Sequence, residues 1–241
     1  MPRNKYPEET RQAILDAALK LFLEKGYEKT TILDIVNGMD GLTRGAFYHH
    51  FKSKEEVMDQ ISEDLFYANN PFEKVQNTEG LNGLEKLRKA VFNTDLDGYS
   101  DEQIVLAKEM AALTASPQML AKQFDFSHRI AVEYVAPLME EGMADGSIAP
   151  NNPRWLAELL LTFLNVWVGF NIPPSDENEF VGKLVFMADV FDKLGCPVFD
   201  EEAEKAAEIA VDMYFPDADK DALRKQLEEG VDNMPDMNKS T

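Results

Sequence analysis

A short predicted helix over residues 43–50 carries polar and basic side chains on one face and apolar side chains on the other. Phe47 marks the apolar face. Arg44 stands in the first turn, where its planar guanidinium can form two parallel hydrogen bonds to O6 and N7 of a guanine. Gly45 inside a helix costs about 1 kcal/mol relative to alanine, which is explicable if the backbone must lie close to a partner. These residue types are suited to reading the edge of a base pair.

Three further side chains near this helix are suited to binding phosphate. Thr43 and Tyr48 carry hydroxyl groups, and Lys54 places a charge beside the first turn of the following helix, where backbone N–H groups are unpaired. Together with Arg44, they predict contact with a nucleic-acid backbone.

The charge of the chain is divided very unevenly along the sequence. The full 241 residues carry 24 Lys and Arg against 44 Asp and Glu, a net charge of −20. Residues 1–60 hold 9 basic and 10 acidic residues, a net charge of −1, whereas residues 61–241 hold 15 and 34, a net charge of −19. Because such an acidic body repels phosphate, any nucleic-acid function must lie in the first 60 residues.

Apolar residues recur at helical spacing throughout, and no stretch alternates apolar and polar residues, so we expect an all-α protein. Near the N-terminus the pattern predicts helices over 7–25, 32–37 and 43–50, and a fourth that begins at Lys54 and ends before Pro71. Two short helices with a third packed across them form a helix-turn-helix. Further helices are predicted near 81–93, 101–115, 118–142, 153–170, 177–194, 200–214 and 220–228.

These elements predict two domains and a tail. Residues 1–53 form a three-helix helix-turn-helix domain suited to binding DNA, and residues 54–231 form a larger helical domain. Residues 232–241 form a frayed C-terminal tail.

The segment from Thr10 to Ile61 resembles the DNA-binding domain of the TetR family of transcriptional repressors. The matching elements are ILDAALKLF, EKGYEKTT, TRGAFYHHF and KSKEE, and a weaker similarity covers GMADGSIAPNNP at 142–153. Between Asp34 and Phe51 the chain has one residue more than the usual family spacing, absorbed near 39–41, which affects the tilt of the recognition helix.

The resemblance implies a homodimeric repressor that binds double-stranded DNA and that a small-molecule effector releases, with residues 54–231 as the domain for ligand binding and dimerisation. Because a two-fold dimer presents two recognition helices, we expect its operator to be palindromic. The resemblance also implies base reading near Arg44, Gly45 and His49. It implies phosphate contacts at Thr31, Thr43, Tyr48 and Lys54.

Aromatic and methionine residues of the body are expected to be mostly core, and some could line the effector cavity. The candidates for that lining are Phe66, Phe92, Met110, Phe124, Tyr134 and Phe163. The helix at 153–170 is apolar on nearly all sides, so we expect it to pair with the helix at 177–194 in a dimer interface. The expected interface residues are Leu164, Trp167, Leu184, Met187 and Phe191.

The alternative function class is a helical-bundle enzyme or metal-binding protein. Asp125 and His128 share a helical face, but a bundle metal site needs a second such pair and further carboxylates, and no nucleophile elbow or phosphate loop is present. We therefore expect no enzyme activity, cofactor or metal.

The single cysteine and the charged N-terminus favour the cytoplasm. The longest apolar stretch has 16 residues and contains Glu158, so it is too short for a membrane span.

Overall fold

The computed structural model describes residues 7–39, 43–92, 117–168 and 176–215, together with 217–219, 221–222 and 225–226. Within those ranges the regular structure is entirely helical and contains no strand, which confirms the predicted all-α class. The described residues divide into two compact units, the first ending at Asn70 and the second beginning at Pro71.

The first unit contains four helices packed around one core. They are α1 (Pro7–Lys25), α2 (Ile32–Asn37), α3 (Arg44–His50) and α4 (Lys54–Ala68). Phe22, Ile35, Phe47 and Met58, one from each helix, are almost completely buried in that core. Helix α4 packs within the first unit, because it contributes Met58 and two neighbouring residues to this core.

The ends of these helices are capped by residues that lie next to them in the sequence. Gly26 terminates α1 with φ +83°, a conformation that glycine adopts without strain, and its N–H donates to the Phe22 carbonyl. Thr31, Thr43 and Ser53 cap α2, α3 and α4, each accepting a hydrogen bond from a backbone N–H three residues later.

The second unit contains the remaining described elements, and two of its helices continue into π-helical turns. They are α5 (Pro71–Gln76), α6 (Gly83–Phe92), α7 (Pro117–Ile130), π1 (Ala131–Val135), α8 (Ala136–Asp145), α9 (Pro153–Thr162), π2 (Phe163–Val168), α10 (Glu177–Lys193) and α11 (Glu201–Tyr214). Helix α5 was not predicted, and the π turns interrupt the helices predicted at 118–142 and 153–170. The predicted helix at 101–115 and the tail at 232–241 lie outside the described residues.

Close packing of α6 against α8 organises the second unit. A Cβ on Gly83 would lie 2.1 Å from the Gly142 nitrogen, so only glycine permits this approach. Asp145 accepts a hydrogen bond from the Gly83 N–H at 2.7 Å, and this bond, after that from Ser147, holds the pKa of its carboxyl below the usual value. Lys86 of α6 forms an ion pair with Glu141 of α8 at 2.6 Å.

The opposite side of α6 holds the chain that leads into α11. Arg88 donates to the Pro197 carbonyl and forms an ion pair with Asp200, the N-cap of α11, at 3.2 Å. Cys196 lies buried in this connection, and burial raises the pKa of its thiol to about 11. None of the described helices is long and apolar enough to cross a membrane.

Candidate nucleic-acid interface

The recognition helix α3 is oriented by its two aromatic anchors. Phe47 is fully buried in the core of the first unit, and Phe51, at the C-cap, is 2% exposed. Since these side chains point inward, the opposite face of α3 must point to solvent. That face presents Arg44, Gly45 and His49, which are exposed, and Tyr48, which is 44% exposed.

Arg44 and Tyr48 lie against each other on this exposed face. The guanidinium carbon of Arg44 is 5.7 Å from the centroid of the Tyr48 ring, one helical turn further along. The Tyr48 ring in turn meets the buried Phe47 ring edge to face, with centroids 5.5 Å apart.

Gly45 has open space where a side chain would be. A Cβ built at this position would meet only the Thr43 hydroxyl oxygen, at 3.8 Å, within ordinary contact distance. Packing within the protein therefore does not require a glycine here, unlike at Gly83.

His49 and His50 end the helix side by side, with ring centroids 5.3 Å apart. His49 is exposed, whereas His50 is half-buried towards α1. Burial, followed by repulsion from His49, lowers the pKa of His50 below its usual value. His50 therefore loses its proton more readily than an isolated histidine does.

Thr31 is already engaged within the protein. Its hydroxyl donates to the Asp34 carboxylate at 2.7 Å, and its backbone N–H donates to the same oxygen at 2.8 Å. Lys25 lies 2.8 Å from that oxygen, and its hydrogen bond, followed by those from Thr31, holds the pKa of Asp34 far below its usual range. Both donors of Thr31 point to Asp34, so a phosphate contact would require the hydroxyl to turn. By contrast, the Thr43 hydroxyl oxygen accepts a hydrogen bond from the Ala46 N–H at 3.1 Å.

Lys54 is partly buried against the turn between α1 and α2. Its ammonium donates to the Tyr27 carbonyl at 2.7 Å and lies 3.8 Å from the centroid of the Tyr27 ring. Burial lowers the pKa of Lys54, and burial together with the nearby Glu55 carboxylate raises the pKa of Tyr27. Sequence reasoning missed this internal role, because no local pattern connects residues 27 positions apart. Since an ammonium has three N–H donors, a phosphate contact remains compatible with it.

The predicted effector residues differ in exposure and in the residues they contact. Phe92, Tyr134 and Phe163 are half-buried in the second unit, and each ring packs on a different aromatic neighbour. The centroid distances are 5.3 Å for Phe92–Phe199, 5.9 Å for Tyr134–Phe72 and 5.4 Å for Phe163–Trp167. Phe124 is exposed, Phe66 belongs to the first unit, and Met110 lies outside the described residues.

The predicted dimer residues separate into two groups. Leu164, Trp167 and Leu184 are half-buried and retain accessible apolar surface. Met187 and Phe191 are fully buried among the side chains of their own protomer, so they are core residues of the second unit. Helical spacing did not separate the two roles because both require apolar side chains.

His128, one of the two residues whose spacing is compatible with a metal site, lies beside a carboxylate that also binds an arginine. His128 Nδ1 lies 3.3 Å from Glu158 Oε1, and Arg154 Nε donates to the same oxygen at 2.8 Å. In the part of the chain that the structure describes, no three His, Cys, Asp or Glu residues converge in a way that could hold a metal ion.

Comparison with known proteins identifies the first unit. Residues 14–61 match the family described as "Bacterial regulatory proteins, tetR family". The first unit carries the N-terminal domain of the TetR family. It is similar to the HTH-type transcriptional repressor KstR2 of Mycolicibacterium smegmatis, with 28% identity over 151 residues that cover 60% of this chain and 70% of the relative. It is also similar to the uncharacterised HTH-type transcriptional regulator YhgD of Bacillus subtilis, with 25% identity over 72% of this chain and 92% of the relative.

Solved structures extend the likeness of the fold beyond the first unit. Salmonella enterica GusR superposes with a TM-score of 0.52 at 21% sequence identity, covering 87% of this chain and 96% of the other. The match over residues 14–61, together with the similarity to two HTH-type transcriptional regulators, makes this chain a helix-turn-helix, DNA-binding transcription regulator rather than an enzyme.

Replacing Lys54 by methionine tests its internal role. Lys54→Met keeps much of the side-chain volume but removes the ammonium that holds Tyr27, so the free energy of unfolding should fall by about 1–2 kcal/mol. Urea denaturation without DNA measures it, and Lys52→Met, at a nearby exposed lysine, should change stability by less than about 0.5 kcal/mol. Equal stability of the two variants would contradict the internal role.

Proposed function

We propose that this protein is a homodimeric repressor that places α3 of each protomer in the major groove of a palindromic operator and releases it when a small molecule binds the body. The observation that carries the proposal is the exposed face of α3, where Arg44, Gly45, Tyr48 and His49 stand together on a helix that Phe47 anchors in the core. Its functional domains are residues 1–53 for DNA binding and 54–231 for regulation, with a tail at 232–241.

In this proposal Arg44 reads a guanine, and the neighbouring groups set the position of the helix. The guanidinium forks onto O6 and N7, while the Thr43 and Tyr48 hydroxyls bind phosphates. His49 lies further along the same exposed face and contacts the next part of the groove. Lys54 supports this arrangement, because it holds the turn that precedes α2.

The distribution of charge favours the same orientation. With −19 on residues 61–241, the body is repelled by DNA, so only the first unit can approach it. Binding to random duplexes should be weak, since few positive charges face the phosphates.

The dimer in this proposal uses apolar surface on π2 and α10. Trp167 of π2 packs on Phe186 of α10, with ring centroids 5.9 Å apart, and Phe186 remains 45% exposed. Leu164 and Leu184 extend this surface, whereas Met187 and Phe191 support it from the core. Two copies would form a four-helix interface from the same elements.

The effector in this proposal is a small molecule that binds among the helices of the second unit. Half-buried rings such as Phe92, Tyr134 and Phe163 are suited to an organic ligand. Titratable and aromatic neighbours, such as Glu73 beside the Tyr134 hydroxyl, add polar contacts. A coupling of about 1–3 kcal/mol between the two sites would change operator affinity 5- to 150-fold.

Substitution of Arg44 tests the base reading. With an operator selected from random duplexes, Arg44→Ala should remove about 1–3 kcal/mol of discrimination at one guanine in each half-site. Arg44→Lys keeps the charge and loses the fork, so it should retain the salt dependence of binding without restoring the base preference. Unchanged discrimination in both variants would refute the assignment of Arg44.

Gly45→Ala separates protein stability from DNA binding. The Cβ fits within the protein, so alanine should raise the free energy of unfolding by up to about 1 kcal/mol through helix propensity. Operator affinity, measured by fluorescence anisotropy, should nevertheless fall, because the backbone can no longer approach the groove closely. A variant that is more stable and binds the operator as tightly as the parent would show that α3 does not need this close approach.

Leu164→Glu tests the dimer. A buried carboxylate at the interface is strongly unfavourable, so sedimentation should show monomers that no longer bind a two-half-site operator. Leu164→Met keeps the surface apolar and should remain dimeric, and circular dichroism checks that each protomer folds. A parent protein that sediments as a monomer at micromolar concentration would overturn this part of the proposal.

A further inference from the structure

We infer that Tyr48 is a positioning residue for Arg44: its ring holds the guanidinium in the orientation that reads guanine, in addition to any contact its hydroxyl makes with phosphate. The inference rests on the proposed base reading by Arg44. It concerns the sequence specificity of the interface, whereas a phosphate contact by Tyr48 would contribute affinity alone.

Arg44 and Tyr48 are close enough for a contact between the guanidinium and the aromatic ring. The Arg44 guanidinium carbon lies 5.7 Å from the Tyr48 ring centroid, within the range at which a cation is attracted to the face of an aromatic ring. Residues four apart are neighbours on a helix surface, so the contact needs no distortion of the backbone.

The Tyr48 ring is itself anchored by its contact with Phe47. Tyr48 meets Phe47 edge to face at 5.5 Å, with the ring planes at 87°, and Phe47 is fully buried. The ring is therefore held on one side by a side chain that cannot move without opening the core, while its other surface remains available to Arg44. A continuous contact leads from the core through Tyr48 to the guanidinium.

The surroundings of Arg44 place few other restrictions on its side chain. Arg44 is exposed, and Gly45, the next residue, offers no side chain to restrict it. A free arginine side chain loses rotamer freedom when it binds, and that loss weakens recognition. A contact that already restricts the side chain before binding reduces the loss, and the planar guanidinium keeps its edge open for two parallel hydrogen bonds.

The expected size of the effect follows from the strength of exposed cation–ring contacts. It corresponds to about a 2- to 5-fold change in affinity for each half-site. Two half-sites bound by one dimer would multiply the effect, giving about 4- to 25-fold on a full operator.

A substitution series at Tyr48 separates the ring from the hydroxyl. Each variant is titrated against the operator and against the same duplex with 7-deazaguanine, which lacks N7, at the guanine that Arg44 reads. Tyr48→Phe and Tyr48→Trp keep an aromatic face and should retain the parent's discrimination between the two duplexes, even if affinity for both falls. Tyr48→Leu removes the face and should lose about 2- to 5-fold of that discrimination per half-site.

The control is the same series in an Arg44→Ala background. There, Tyr48→Leu should cause no further loss of discrimination, because the residue through which Tyr48 acts is absent. A merely structural role of Tyr48 would lower affinity equally in both backgrounds and for both duplexes. Urea denaturation of each variant checks that α3 remains folded, and Tyr48→Phe provides the comparison if Tyr48→Leu does not fold.

The outcomes distinguish the inference from the proposal on which it rests. If Arg44→Ala alone leaves discrimination intact, the proposed base reading fails. If Arg44→Ala abolishes it but Tyr48→Leu discriminates as well as Tyr48→Phe, the base reading stands and the positioning role is refuted. Better discrimination in Tyr48→Leu than in the parent would also refute it, since Arg44 would then have to leave the ring in order to bind.

Discussion

The burial of Phe47 is the contact on which the DNA-binding face depends. Helix α3 has seven residues, too few to be stable in water on its own, so its structure and direction come from packing. Phe47 and Phe51 attach it to a core built from α1, α2 and α4. Because those rings point inward, Arg44 and the residues beside it must face solvent. The edge-to-face contact between Tyr48 and the buried Phe47 connects this exposed face to the core.

The first unit uses part of its positive charge internally. Lys25 is engaged with Asp34 at the start of α2, and Lys54 is engaged with Tyr27 in the turn before it. Both contacts stabilise the segment that joins α1 to α2, and α2 is a helix on which α3 packs. In the proposed complex, these engaged lysines would add less sequence-independent attraction to phosphate than the number of basic residues suggests.

The second unit shows how the same apolar pattern serves different purposes. Along α10, Met187 and Phe191 fill the core of the protomer, whereas Leu184 and Phe186 keep accessible surface. The close approach of Gly83 to Gly142 brings α6 and α8 together. No periodicity reveals this contact, since the two glycines are 59 positions apart in the chain. The π turns are similarly invisible in sequence, because a single shifted hydrogen bond leaves the apolar spacing almost unchanged.

The sequence by itself determined the helical class, the capping of α2, α3 and α4, and the exposed face that carries Arg44, because each depends on neighbours within a few positions. The division of charge between the two parts of the chain was equally readable. Only the tertiary structure decided that Lys54 is held by Tyr27, that Arg44 lies on the Tyr48 ring and that Met187 is core. Those assignments depend on which surfaces meet and on which rotamers packing selects, and residue type and helical spacing leave both open.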